Sequence, residues 1–475
     1  MKKIIVSICA LAGIASCNNG SVTEWVATAP DAVWQSQDVR NIEFVTAEKP
    51  DAVIDLAHPG QTIEGFGACF NELGWTSLSL LDDSDRESIL REMFAPGEGA
   101  NFTVCRMPVG ANDFSRDWYS YNETDGDFEM KNFSIANDRE TLIPFIKAAQ
   151  EHQPDLKIWA SPWSPPIWMK ENKHYACQPL NTDFFDNIGE NGIKPEQVRR
   201  EGMNMFIQDD RYFKGYALYF RKFIEEYRAE NIDIFMVMPQ NEFNSCQPFP
   251  SCTWQSSALT TFVGKYLGPE MQKIGVDLMF GTMERPTPAM VDTALTDAES
   301  KKYISGIGFQ WAGKRSIGDL HSRYPDMKIY QTEQECGNGS NDWAGCVYSW
   351  SLLQHYLNNG TSVYDYWNIS LEEGGLSRWG WRQNSLVTVN REQRTFKYTY
   401  EYYLMKHASH YILPGARFLP VTGEFTGMMA FRNMDGSYVL LIHNANDTEI
   451  KPVVRLGNRS IAIPLPPQSF HTILL

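Results

Sequence analysis

Eight short apolar runs between residues 60 and 385, each closing in polar or aromatic residues and separated by longer segments of helical period, predict a parallel (β/α)8 barrel. Turn-separated apolar runs at both ends of the 475-residue chain predict a small antiparallel β-sandwich beside it. Size agrees, because one hydrophobic core rarely grows past ~250–300 residues and a chain of this length is expected to carry two.

Taken in order, the chain begins with Lys2 and Lys3 ahead of apolar residues 4–15, the layout of a secretory leader and too short to cross a bilayer. Ala15, Ser16 and Cys17 resemble a lipoprotein cleavage site, although Ile14 stands where leucine is usual. This places the signal at residues 1–16 and makes Cys17 the lipidated first residue of the mature chain, with ordinary signal cleavage near the same point as the alternative. Asn18, Asn19, Gly20 and Ser21 read as a tether. No later stretch approaches ~18 uninterrupted apolar residues, so a lipid is the one membrane attachment expected. The expected location is the envelope of a Gram-negative-type bacterium, in the periplasm or at the cell surface.

Residues 17–57 hold the runs VWQSQ, IEFVTA and AVIDL, read as strands contributed to the sandwich. The barrel is assigned to residues 58–412. Its strand candidates are IEGFGACF, FTVCRMPVG, KIWASPW, IFMVMPQNE, DLMFGTME, ISGIGFQW, KIYQTEQ and SVYDYWN. Phe213, Tyr216, Ala217, Phe220, Ile224 and Tyr227 recur with helical spacing and form one apolar stripe facing a sheet. Residues 138–152 and 341–359 read as further helices. Residues 413–475 hold GMMAF, YVLLIHN, PVVRL and SIAIPL, with Asp435-Gly436 as a hairpin turn, and complete the sandwich.

Composition narrows the function. With 42 basic and 58 acidic residues the net charge is −16, which opposes the counterion release behind nucleic-acid binding. Fourteen Trp and 21 Tyr exceed what a core needs and suit stacking on neutral sugar faces, although most must serve packing. Of nine cysteines, Cys9 leaves with the signal and Cys17 is set aside. Cys246 and Cys252 flank the loop QPFPS, either as a disulfide or as two thiols, while Cys69, Cys105 and Cys336 read as small buried thiols. No spacing resembles a zinc site, and His407 with His410 reads as a packed pair.

The chemistry is carried by Glu242 in MVMPQNEF and Glu333 in KIYQTEQECG. Each closes a strand candidate, the fourth and the seventh, and in such a barrel strand ends point into a shared mouth. Two carboxyl groups are the minimum for cleaving a glycosidic bond, one to protonate the leaving oxygen and one to attack the anomeric carbon. Glu335 competes with Glu333, because residues two apart on a strand face the same way.

The segments GFGACFNELGW, RMPVGANDFSRDWYSY, NFSI, ASPWSPPIWMK, QNE, TEQECG and DYWNISLEEGG, in that order, resemble glycoside hydrolase family 30, the group that contains glucosylceramidase. The resemblance implies a (β/α)8 barrel with a β-sandwich built from both chain ends, and retaining hydrolysis with neither metal nor cofactor. It implies Glu242 as general acid/base and Glu333 as nucleophile, Thr332 filling the family's Ser or Thr before the nucleophile. Phe243 departs from the family's proline and implies a differently shaped loop. By the same resemblance Arg106 lies beside the nucleophile, Asn241 reaches the 2-hydroxyl, and Glu72 replaces a sugar-binding aspartate. Trp163 and Trp367 would wall the first sugar subsite. Trp311, with Gln310 and Ala312 as altered flanks, would sit near the leaving group. Trp379 and Trp381, in the Gly-rich loop GGLSRWGW, read either as a further platform or as a cap on the barrel.

The expected substrate is a neutral β-glucan or β-glucoside, with β-1,6-glucan favoured. An exo-acting β-glucosidase, a glucosylceramidase or a β-xylosidase is the alternative within the class. A surface lipoprotein that binds glycans without cleaving them is the alternative outside it, and it would be marked by loss of one carboxylate, whereas both are present. Endo or exo action depends on the loops after Lys173, Pro248 and Arg382.

Overall fold

The computed structural model describes residues 21–475; the leader, Cys17 and most of the tether lie outside the described residues. Every one of the eight predicted runs forms a parallel strand: β1 (Gly65–Cys69), β2 (Val104–Pro108), β3 (Lys157–Ser161), β4 (Ile234–Val237), β5 (Asp277–Met283), β6 (Ile304–Gln310), β7 (Lys328–Glu333) and β8 (Val363–Glu372). The ring closes because β8 pairs on one side with β7, Val363 opposite Tyr330, and on the other with β1, Val363 opposite Gly65. Its floor is a dry plug of Val104, Trp159, Met236, Met238, Met279, Tyr330 and Val363. Large side chains there face small ones: a Cβ on Gly308 would lie 2.4 Å from the Met238 sulfur.

The predicted helices follow the same logic. α1 (Leu142–His152) starts later than its apolar pattern suggested. Asp138 is fully buried and accepts hydrogen bonds from the hydroxyls of Tyr119, Tyr121 and Tyr227, which holds residues 138–140 in a separate 3-10 turn. α2 (Asp210–Ala229) is capped by Asp209 and buries the predicted stripe together with Tyr219 and Phe223. α3 (Trp343–Asn358) is capped by Asp342, whose carboxylate accepts from the Gly345 N–H at 2.8 Å. After β8 the sheet runs outward through Ser385–Asn390 and Thr395–Tyr398, two strands the sequence pattern did not reveal.

Both chain ends meet in the sandwich. One sheet orders Arg417–Leu419, Met428–Arg432, Tyr438–Asn444, Ser469–Leu474, Glu24–Ala29 and Ala32–Ser36, and the other orders Val421–Gly423, Ala52–Ile54, Val453–Leu456, Arg459–Ala462 and Glu43–Val45. Asp435 and Gly436 lie in the hairpin between Met428–Arg432 and Tyr438–Asn444, with Gly436 at φ 90°. The sandwich seats on the barrel through Phe470, whose ring lies 5.1 Å from Trp343 and 5.7 Å from Trp350. His407 is buried at this seam between the hydroxyls of Thr472 and Thr28, so the histidine pair is packing rather than a ligand set. Among the described residues no cluster of His, Cys, Asp or Glu could hold a metal ion, and no helix is long and apolar enough to cross a membrane.

Candidate active site

At the C-terminal mouth of the barrel lies a cavity of about 200 Å³ lined by Asp113, Trp163, Phe185, Asn241, Glu242, Gln247, Phe249, Arg285, Trp311, Ala312, Glu333, Trp381 and Gln383. Glu333 ends β7 and Glu242 lies just past β4, so the fold brings the two carboxyl groups into one space.

Their surroundings differ. Glu333 Oε2 accepts from Arg106 Nη1 at 2.9 Å and Oε1 accepts from Trp311 Nε1 at 2.9 Å. Glu242 accepts from neutral amides at longer range, Gln310 Nε2 at 3.2 Å and Gln247 Nε2 at 3.3 Å, and the Arg285 charge and Ser245 hydroxyl also act on it. Burial raises the pKa of both; for Glu333, to about 7, it is opposed by the Arg106 charge and by hydrogen bonds from Trp311 and Arg106. Two further carboxyls are buried alongside. Asp113 and Glu284 each leave one oxygen without a partner, and burial first, then the charge of Glu333 or Glu242, pushes them well above the usual range. Arg285 is held by Glu201, which leaves Arg106 as the cation bonded within the pair. Arg106 makes a charge-assisted hydrogen bond to Glu333, the stronger kind, and Glu242 has no such bond among the described residues.

Arg106 is completely buried in the middle of β2. Besides Glu333 it donates to Asn241 Oδ1 at 2.7 Å, Ser161 Oγ at 2.9 Å and the Thr332 carbonyl at 2.9 Å. Its guanidinium lies over the rings of Trp163, Trp159 and Trp367 at 4.4, 5.0 and 5.5 Å. Such saturation offsets the cost of a buried charge and fixes Glu333 from one side. Asn241 spends its oxygen on Arg106, Thr282 and Gln310, and its amide nitrogen has no partner among the described residues, a donor left for the cavity. Glu242 itself sits at φ 47°, outside the comfortable region for a residue with a Cβ. A proline at 243 would push residue 242 toward extended backbone; Phe243 instead packs on Phe280 at 5.4 Å and permits the turn.

Glu335 is separated from Glu333 by the end of the strand. It pairs with Lys314 and accepts from Tyr348 Oη at 2.6 Å, away from the cavity lining. Trp163, Trp311 and Trp381 line the cavity. Three other residues do not. Glu72, the first residue of a helix, is 1% exposed and its carboxylate is consumed by Arg116, Asn137 and Thr141. Trp367 is buried behind Trp163, ring centroids 5.3 Å apart, and Trp379 is buried against Trp118. Asp113, five residues beyond β2 in the segment RMPVGAND, is the acid that faces the cavity, and sequence reasoning passed over it. Its signal was position: a lone acid just past a barrel strand in a segment already chosen for its arginine. Gln247, Arg285 and Glu284 were also missed, since nothing marks their loop positions. Cys246 and Cys252 are free buried thiols in this structure.

The loops after Lys173 and Arg382 meet above the mouth. Asp186 pairs with Arg382 at 2.8 Å, and Phe185 packs on Trp381 with centroids 4.8 Å apart. Asn191 ties the same excursion to the Pro248 carbonyl at 2.8 Å.

Comparison with known proteins agrees with this architecture. The model for the glycosyl hydrolase family 30 TIM-barrel domain matches residues 63–183 and 194–412, and that for the family 30 beta sandwich domain matches residues 425–473. The chain is 27% identical over 437 residues to putative glucosylceramidase 1 of Caenorhabditis elegans, covering 85% of this chain and 79% of that one. It is 26% identical over 433 residues to endo-1,6-beta-D-glucanase neg1 of Aspergillus fumigatus, covering 84% and 82%. Among solved structures, SrfJ from Salmonella typhimurium superposes with a TM-score of 0.83 at 22% identity over 95% of this chain and 99% of its own. The endo-beta1,6-glucanase BT3312 superposes with a TM-score of 0.80 at 24% identity, over 96% and 99%. With both domain models matched over most of its length, the chain belongs to glycosyl hydrolase family 30.

Proposed function

We propose that the protein is a retaining β-glycosidase acting on β-1,6-linked glucan, with Glu333 as nucleophile and Glu242 as general acid and then general base. The observation that carries this reading is the unequal environment of two buried carboxyls in one cavity: a guanidinium and an indole N–H on Glu333, two long amide contacts on Glu242. Ionised Glu333 attacks the anomeric carbon while Glu242 gives its proton to the departing oxygen. Glu242, now a carboxylate, then takes a proton from water, which displaces Glu333 and restores the starting state. The free amide of Asn241 is placed to donate to a sugar hydroxyl, Asp113 to bond others, and Trp163 to stack on the ring. Phe185, Phe249, Trp311 and Trp381 supply apolar walls for the sugar on the leaving side.

The choice of β-1,6-glucan rests on the endo-1,6-glucanases among the relatives and on the altered flanks of Trp311 and Glu242. Incubation with linear β-1,6-glucan, an aryl β-glucoside, glucosylceramide and xylan, with products separated by chromatography, tests it. Oligosaccharides from β-1,6-glucan alone are expected. Glucose released only from small glucosides would overturn the choice in favour of an exo-acting β-glucosidase, a reading favoured by the small cavity and by the Phe185–Trp381 contact over its mouth. Attachment to the cell envelope through lipidated Cys17 belongs to the same proposal and is checked by incorporation of labelled fatty acid, absent in Cys17→Ala.

A further inference from the structure

Near the cavity, Cys177 and Cys252 lie by one buried cation, and Cys246 lies by Cys177. Lys170 is fully buried, and its ammonium donates to the carbonyls of Tyr175 and Ser251, both at 2.7 Å, with no carboxylate within ion-pairing distance among the described residues. Cys177 shares that Ser251 carbonyl through its thiol at 3.4 Å. The Cys177 N–H donates to the Gln247 carbonyl at 2.9 Å, and the Gln178 N–H reaches the same oxygen at 3.2 Å. This lays the residue after Cys246 directly against Cys177. Cys177 and Cys246 lie close enough for each thiol to shift the titration of the other, whereas Cys252 feels, of these two, only the Cys177 charge.

We propose that Cys177 and Cys246, 69 residues apart, are a disulfide-forming pair that covalently joins the long excursion after β3 to the loop following Glu242. A disulfide needs Cα atoms ~4.4–6.8 Å apart, and the hydrogen bond from Cys177 to the residue after Cys246 lays the two segments side by side. The chemistry is also prepared: the Cys246 thiol beside it, helped by the Lys170 charge and opposed by burial, lowers the pKa of the Cys177 thiol and eases its deprotonation. Cys246 is 8% exposed and Cys177 is sealed, so an external disulfide meets Cys246 first. Cys246 loses its proton as it attacks that disulfide, forming a mixed disulfide and releasing one thiolate. The Cys177 thiolate then attacks the Cys246 sulfur, forming the intramolecular bond and releasing the second. Two protons leave the protein, and the oxidant's disulfide is reduced to two thiols. Because Gln247 adjoins Cys246 and donates to Glu242, the cross-link anchors one of the two hydrogen-bond donors of that carboxyl.

This proposal does not depend on which glycan is cleaved. Full-length chain is incubated with oxidised glutathione, remaining thiols are alkylated, and unreduced peptides are mapped by mass spectrometry. A peptide pair joining Cys177 to Cys246 is expected, in wild type and in Cys252→Ser alike, with a melting temperature that falls by ~5 °C on reduction. Alkylation of both Cys177 and Cys246 in the folded oxidised protein, or a cross-link using Cys252, would overturn it. Mapping the wild-type chain suffices, so the result stands even where Cys177→Ser fails to fold.

Discussion

The two ends of the same barrel strands are built for opposite purposes. At the floor, β3 contributes Trp159, β7 contributes Tyr330, and β4 with the residue just beyond it contributes Met236 and Met238 to a plug that excludes water. A few residues farther along, the same strands and the loops after them present Ser161, Glu242 and Glu333, with Arg106 from β2, to a charged mouth. The floor gains its stability from close packing. The mouth gives up packing to hold four buried carboxyls around few cations and a left-handed glutamate. Substitutions should therefore separate cleanly, costing turnover at one end and stability at the other.

Glu333→Gln, the largest expected effect, should lower kcat by at least ~10³-fold with folding retained. Glu242→Gln should cost ~10²–10⁴-fold on substrates with poor leaving groups, and far less on an aryl glucoside whose phenol departs without a proton. At the floor, Met238→Ala should lose ~2–5 kcal/mol of stability, read by denaturant unfolding, while kcat/KM of the surviving folded enzyme changes little. A kinetic defect there as large as at the mouth would break the division.

Smaller effects sharpen it. Trp311→Phe removes one of the donors that hold Glu333 down, so the Glu333 pKa rises and the acid limb of the kcat/KM profile moves to higher pH, with a rate loss of ~10-fold. The basic limb, set by loss of the Glu242 proton, should stay in place. Glu335→Gln should leave turnover within about twofold, because that carboxylate belongs to Lys314 and Tyr348.

The same contrast explains what could be read from the sequence. The barrel strands were legible because each is an apolar run with a distinct end, and Glu242 and Glu333 were legible as the acids closing two of them. Glu24–Ala29 and Ser469–Leu474 were not read as strands, since each has one of its two partners at the opposite end of the chain, where no local pattern reaches. Glu72 misled for a related reason: FNEL follows a strand as a site residue should, but the acid opens a helix and turns to Arg116. Asp113 escaped notice because its role depends on where a loop returns, which no local pattern encodes.

The central claim is that Glu333 carries the negative charge and attacks. Reaction with an activated 2-deoxy-2-fluoro-β-glucoside, followed by proteolysis and mass spectrometry, tests it most directly. The account predicts one glucosyl adduct per chain, on Glu333 and absent in Glu333→Gln. An adduct on Glu242 or Glu335, or turnover without any trapped adduct, would contradict it.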